Sequence, residues 1–162
     1  DRAHRRVDAE CRLREWGART GVCISILRVP GIYAADRLPV ARIERGTPAL
    51  QPQDDTYVNH IHADDLARAC VAALWRGAPQ SIYHASDSSE MKMGQHFDAV
   101  ADAFGLPRPP RLTRDEAARV LSPMQMSFLA ESRRLDNRRL RAELRVRLRY
   151  PTPAVAWAAV NA

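Results

Sequence analysis

Lysine is nearly absent from this sequence, although basic residues are plentiful. Lys92 is the only lysine among 25 basic residues in a chain of 162, and the formal net charge is +6. A strongly basic chain can bind nucleic acid, but the arginines here are spread along the sequence. The densest group, between positions 133 and 149, alternates with leucine and acidic residues. We therefore favour a solvated helix face over an anion-binding surface, and nucleic acid is an unlikely partner.

Cysteine and long hydrophobic runs are also scarce. The three cysteines are odd in number and show no C-x-x-C spacing, which predicts a reduced, cytoplasmic protein without a disulfide framework. Cys23 lies in an apolar strand pattern and Cys70 in a helix pattern, so both are predicted to be buried. No apolar run reaches the ~20 residues of a membrane span, and no signal peptide is visible. The chain begins at Asp1 without a methionine, which suggests a fragment or a processed product.

Metal-binding patterns are missing as well. His60 and His62 lie two residues apart, which places their side chains on one face of a strand. Neither a nearby carboxylate nor a third ligand stands at a spacing that zinc sites use. The sequence therefore predicts no metal site.

The most informative stretch is the short apolar run at positions 22–33. It is rich in β-branched residues and bounded by Gly21 and Pro30-Gly31, which predicts a strand. Its near-continuous apolarity predicts cover on both faces, as in a parallel α/β sheet, and so an apolar edge that should not face water. Open α/β sheets bind ligands at the carboxyl ends of their strands, so the exit of this strand is the first candidate site.

Hydrophobic periodicity predicts the elements around this strand. Helices are expected over 2–16 and 63–75, the second with Leu66, Cys70 and Leu74 on one face. Two further strands are expected over 57–62 and 81–86. A loop-like segment after Tyr33 includes a short helix candidate that ends at Glu44.

The chain after position 89 is predicted to be helical. Phe97, Val100, Ala101 and Phe104 share one helix face, and Thr113 with Glu116 forms a capping-box pattern. The other predicted helix starts are Ser122-Pro123, Asp136 and Thr152-Pro153.

Two motifs carry a resemblance to a known family. Residues 27–33 (Leu-Arg-Val-Pro-Gly-Ile-Tyr) and 61–67 (Ile-His-Ala-Asp-Asp-Leu-Ala) resemble the NAD-dependent epimerase/dehydratase family, within the extended and atypical short-chain dehydrogenase/reductases. Residues 136–144, followed by Tyr150-Pro151-Thr152, are similar to that family's closing helix and strand. The match covers nearly the whole chain but only the C-terminal half of the family.

This resemblance implies an α/β fold: the C-terminal portion of a Rossmann-type parallel sheet, about three strands here, plus a mainly helical substrate-binding part. We place the first part at 1–88, with a loop insertion at 34–55, and the second at 89–162. The family's cofactor is NAD or NADP, but none of the seven glycines fits its Gly-x-x-Gly-x-x-Gly phosphate motif. A missing N-terminal half of the fold, or a homo-oligomer partner, is therefore expected.

This chain also departs from the family at the catalytic Tyr-x-x-x-Lys dyad. In the family, a Glu commonly follows the Lys by four residues. If Glu10 is that Glu, Arg6 occupies the Lys position and Arg2 the Tyr position. A guanidinium stays protonated, so Arg2 cannot act as a general acid or base near neutral pH. Arg6 could keep the cationic, ribose-binding part of the dyad's role.

The resemblance implies two sets of site residues. The cofactor-binding candidates are Arg6, Pro30, Gly31 and Ile32. The substrate-binding candidates are Tyr33, Arg37, Asn59, His60 and Arg134. Each has a structural alternative: an ordinary strand-ending turn, loop packing, a satisfied histidine or a solvated face. Nucleotide-sugar members carry a pyrophosphate-binding Arg where this chain has Val58, so a different small polar substrate is expected.

The sequence leaves three candidate functions open, each from a different class of protein. The first is the substrate-binding part of an NAD(P)-dependent epimerase/dehydratase-like oxidoreductase. The second is a dinucleotide-binding sensor or scaffold that lacks the dyad and does not turn over. The third, ranked well below both, is a basic nucleic-acid-binding module.

Overall fold

The structure is a computed structural model that describes residues 2–160. The eight helices within those residues are α1 (Arg2–Thr20), α2 (Val40–Glu44), α3 (Ala63–Arg76), α4 (Met93–Ala103), α5 (Arg114–Val120), α6 (Pro123–Leu129), α7 (Arg138–Ala142) and α8 (Pro153–Val160). The six strands are β1 (Ser25–Arg28), β2 (Gly31–Tyr33), β3 (Ala49–Leu50), β4 (His60–His62), β5 (Ser81–His84) and β6 (Arg111–Leu112). No helix in this part of the chain is long and apolar enough to cross a membrane.

All three strand pairs are parallel, as the α/β prediction requires. Within residues 2–160, β1 pairs with β5, β2 with β4, and β3 with β6. Pro30 separates β1 from β2, because proline has no backbone N–H to donate to a ladder. The apolar run therefore changes partner at Pro30, and its second half meets β4 instead of β5.

Local capping signals were good guides to the helix starts. Thr113 accepts a hydrogen bond from the backbone N–H of Glu116, whose side chain accepts from Thr113 N. Ser122 and Gln125 form the same reciprocal pair at the start of α6, on either side of Pro123. The predicted starts of α5 and α6 are confirmed because capping depends only on residues close in sequence.

The predicted packed face of α3 was wrong. Cys70 is exposed and Leu74 is 82% exposed, whereas Ala69 is fully buried. Ala69 packs in a core cluster with Tyr83, Leu140, Leu144 and Val146, joined by Ala72 and Ala73. Small alanines let the helix approach its neighbours closely, so they, and not the larger apolar side chains, form its inner face.

The strand around positions 22–29 is less covered than its apolarity predicts. The β1 residues are half-buried or exposed, and Val22 and Val29 are 42% and 40% exposed. Cys23, predicted to be buried, is also exposed. Within residues 2–160, β1 has a strand neighbour on one side only, and this leaves part of the apolar run exposed.

Strand lengths and two short strands also differ from the prediction. Only His60–His62 of the expected 57–62 strand pairs with another strand, because Val58 donates to Met91 O and Tyr57 to Ser132 Oγ. The two-residue strands β3 and β6 are too short to leave a periodic signal. They support a separate core cluster of Leu50, Ala117, Leu121 and Leu129.

The chain after α7 is held by a buried carboxylate and forms no strand at 143–152. The Asp65 side chain is fully buried, and it accepts hydrogen bonds from the backbone N–H groups of Arg149 and Tyr150, each 2.8 Å long. Arg68 lies 3.3 Å from the same carboxylate. Asp65 thus holds residues 149–150 against the start of α3.

Candidate functional site

The parallel pair of β2 and β4 brings the two sequence motifs together. Gly31 lies opposite His60, Ile32 opposite Ile61, and Tyr33 opposite His62. Gly31 is exposed, whereas Tyr33 is only 3% exposed. Gly31 and His60 are the first residues of their strands, so the amino end of this pair presents a glycine and a histidine side by side. Gly31 also follows β1 by three residues, and the carboxyl end of a strand is where an open α/β sheet binds ligands.

Behind this strand end lies a cluster of histidine and aromatic rings. The imidazoles of His60 and His96 stack with centroids 4.1 Å apart, and Tyr33 meets the His60 ring edge-on at 6.1 Å. Trp157 of α8 lies 5.7 Å from His96. These rings come from β2, β4, α4 and α8, so the tertiary fold, and not any single segment, assembles them.

Several polar atoms in this cluster are buried without a hydrogen-bond partner. They are Tyr33 Oη, His60 Nδ1, His96 Nδ1, Asp87 Oδ2 and Trp157 Nε1. A buried polar group without a partner is uncommon and destabilising. These atoms lie together around the His60–His96 stack, so we take this cluster as the interior of the candidate site.

Burial changes the protonation of the site. Desolvation lowers the pKa of His60 to about 4, and desolvation with the nearby His60 lowers the pKa of His96 to about 3. Desolvation also raises the pKa of Asp87 to about 6, against hydrogen bonds from Ser89 that lower it. The Tyr33 phenol has its pKa raised by burial and by Asp87. Both histidines are therefore neutral near pH 7, and the Tyr33 phenol keeps its proton.

His62 has a local structural role in this arrangement. Its Nδ1 accepts the backbone N–H of Asp64 at 3.2 Å and caps the start of α3. Its ring packs on Tyr150, with centroids 3.8 Å apart. A cleft of about 380 Å³ opens beside these two residues and Tyr33.

Asn59 holds the segment that carries Arg134. Its side-chain amide donates to the carbonyl of Arg133 and accepts from the N–H of Leu135, both at 2.8 Å. The Arg134 guanidinium lies 5.2 Å from the Tyr57 ring centroid and pairs with Glu90. Both ends of the Asn59 amide are thus bonded to the backbone on either side of Arg134.

Arg134 borders an open cleft of about 420 Å³. Asp87, Asn137, Arg138 and Arg141 also line it. Asn137 is buried and donates to the carbonyls of Ser86 and Asp87, which fixes the turn after β5.

The remaining candidates lie further from the ring cluster. Arg37 is exposed in the turn after β2, and Arg6 is exposed on α1. The side chain of Arg2 lies outside the described residues. Glu10, four residues after Arg6, makes a bidentate pair with Arg28 of β1, with contacts of 2.6 and 3.0 Å. This pair anchors α1 to β1.

Sequence reasoning missed the inner half of the site. His96, Asp87 and Trp157 had no motif to identify them, since each comes from a different element. His96 falls within a predicted amphipathic helix, one residue before the apolar Phe97. The available signal was a polar residue beside the apolar face of a predicted helix, which indicates that its side chain is buried.

The residues 2–160 contain no group of three or more His, Cys, Asp or Glu that could hold a metal ion.

Comparison with known proteins defines the class of this fold. A functionally unknown conserved protein from Silicibacter pomeroyi matches with a TM-score of 0.71 and 32% identity, over 85% of this chain and 48% of that chain. A human epimerase family protein, solved with NADPH, matches with a TM-score of 0.67 and 16% identity, over 84% and 47%. A UDP-glucose 4-epimerase from Thermotoga maritima, solved with UDP-glucose, matches with a TM-score of 0.68 and 15% identity, over 96% and 51%.

The chain has the C-terminal portion of a Rossmann-type α/β fold and spans about half the length of these structures. Its fold is that of the C-terminal half of the NAD-dependent epimerase/dehydratase family, as the sequence motifs predicted. No family model and no curated protein matches the sequence.

Proposed function

We propose that this chain is the substrate-binding, C-terminal part of an NAD(P)-dependent epimerase/dehydratase-like oxidoreductase. The observation that supports this most is the β2–β4 pair, which brings His60 beside Gly31, just after the carboxyl end of β1. The cofactor would supply hydride transfer. This chain would hold its nicotinamide end near Pro30, Gly31 and Ile32, with Arg6 reaching the ribose.

The substrate would be small and polar and would lie on the side of Tyr33, Arg37 and Arg134. Val58 stands where nucleotide-sugar members carry an arginine, which argues against a pyrophosphate group. The exposed Arg134, held in place through Asn59, is the cation best placed to meet an anionic or hydroxyl-rich substrate.

The phosphate-binding part of the site would come from outside this chain. We propose that a missing N-terminal half of the fold, or a partner subunit, covers β1. The exposed Val22 and Val29 support this. The three cysteines are free thiols, which fits a reducing, cytoplasmic location.

A second candidate function is a dinucleotide-binding sensor or scaffold without turnover. It is favoured by one feature, the arginines at both dyad positions. A guanidinium cannot exchange a proton with a hydroxyl near neutral pH.

Calorimetric titration of the full-length gene product with NAD(H) and NADP(H) tests both functions. We expect saturable binding of one cofactor pair, because the strand ends that receive the nicotinamide are present. We then expect the oxidised cofactor to be reduced with at least one member of a broad alcohol and sugar panel. Absence of binding to either pair would overturn both proposals. Binding without any reduction across the panel favours the sensor. Strong, salt-sensitive binding to random duplex DNA would instead revive the nucleic-acid module.

A further inference from the structure

The His60 imidazole has one buried nitrogen and one that lies beside Gly31. Its Nδ1 is buried without a partner. Its other edge lies against Gly31: a Cβ built on that glycine would meet His60 Cδ2 at 3.0 Å and Nε2 at 3.6 Å. The ring is therefore fixed between His96, which stacks on one face, and the exposed backbone of Gly31.

This placement selects one tautomer. Because burial keeps His60 neutral near pH 7, only one ring nitrogen bears a hydrogen. A buried N–H without an acceptor is the rarer defect, so the hydrogen belongs on Nε2 and the lone pair on the buried Nδ1. His60 thus presents an N–H donor beside Gly31.

The charge around this donor restricts its ligand. The backbone N–H of Asp87 donates to the His60 carbonyl at 2.7 Å, which keeps the Asp87 carboxyl nearby. An anionic ligand atom would be repelled whenever that carboxyl is ionised. A neutral carbonyl oxygen is the acceptor that suits the position.

We propose that His60 Nε2–H donates a hydrogen bond to the carboxamide oxygen of a nicotinamide ring bound over Gly31. The proposal rests on the proposed function, since it assigns a residue to the cofactor's reactive end. It makes His60 a cofactor-binding donor, in place of the substrate contact that the sequence predicts.

The test uses the full-length protein and compares His60→Phe with His60→Gln. Phenylalanine keeps a ring to stack on His96 but removes the donor, whereas glutamine keeps an N–H donor at about the same reach. We expect His60→Phe to weaken binding of the cofactor about 5- to 10-fold, which is the size of one hydrogen bond, and His60→Gln to stay within about threefold of wild type. A pyridine dinucleotide that lacks the carboxamide should bind wild type and His60→Phe equally.

An NMR measurement separates this role from general packing. Nitrogen-15 NMR of the free protein should show His60 as the Nε2–H tautomer. Equal cofactor affinity in wild type and His60→Phe, or an Nδ1–H tautomer, would overturn the proposal while leaving the proposed function intact. Failure of wild type to bind any cofactor would instead remove the proposed function.

Discussion

Replacing Asp65 by alanine is expected to destabilise the folded protein by about 3–5 kcal/mol. The Asp65 carboxylate is fully buried and accepts the N–H groups of Arg149 and Tyr150 at 2.8 Å. Its removal leaves both backbone donors without a partner where little water reaches them. It also removes a negative charge from the first turn of α3, where it stabilises the helix dipole. Urea unfolding at pH 7, followed by circular dichroism, measures the loss.

Asp64→Ala is the matched control. Asp64 is the preceding residue in the same helical turn, and its side chain is 58% exposed. It has the same charge and nearly the same position relative to the helix dipole, so its loss should cost no more than about 1 kcal/mol. Equal destabilisation by the two substitutions would mean that the charge, and not the attachment of residues 149–150, is what Asp65 contributes.

Acidification from pH 6.5 to pH 5 is expected to destabilise the wild-type protein through its two buried histidines. Folding lowers the pKa of His60 to about 4 and that of His96 to about 3, from an ordinary 6.5. Between pH 6.5 and pH 5 the unfolded chain therefore binds more protons than the folded chain. The stability present above pH 6.5 is lost as the pH falls toward the folded pKa values. The loss is about 1.4 kcal/mol per pH unit for each histidine, or about 2 kcal/mol each by pH 5.

His96→Phe should flatten this dependence. Phenylalanine does not titrate, so the free energy of unfolding should fall by about 2 kcal/mol less between pH 6.5 and pH 5 than in wild type. His60→Phe should have a similar effect over this interval, and the double variant should remove most of the loss. Urea titrations at half-unit pH steps measure these slopes, and parallel slopes in wild type and His96→Phe would contradict the prediction.

The contribution of Asp87 to stability has the opposite pH dependence, and it does not affect the comparison of wild type with His96→Phe. Folding raises its pKa from 3.8 to about 6. Its contribution is therefore present below pH 3.8 and lost as the pH rises through 6. The same carboxyl is present in wild type and in the His96 variant, so its effect cancels in the difference between their slopes.

The sequence located the outer surface of the candidate site but not its interior. Pro30 and Gly31 were identified because they lie in a contiguous motif at a predicted strand end. His60 was identified because it lies in a predicted strand directly before the second motif. His96 and Trp157 were not, because they reach the site from helices 36 and 97 positions further along the chain than His60. Asn59 was assigned to a ligand because its residue type is polar. In the structure its amide is bonded to the backbone around Arg134, and a ligand contact by Asn59 stays a prediction.

The sequence by itself determined the parallel strands, the helix starts and the family of the fold. These depend on turn residues, caps and short motifs, whose physical causes act over a few positions. Only the tertiary structure decided which face of α3 is buried, where the apolar run changes partner, and what surrounds His60. Those outcomes depend on close packing between distant segments: the alanines of α3 fit against Tyr83. In the same way, the imidazole of His60 acquires its orientation and its neutral state from Gly31 and His96, neither of which adjoins it in sequence.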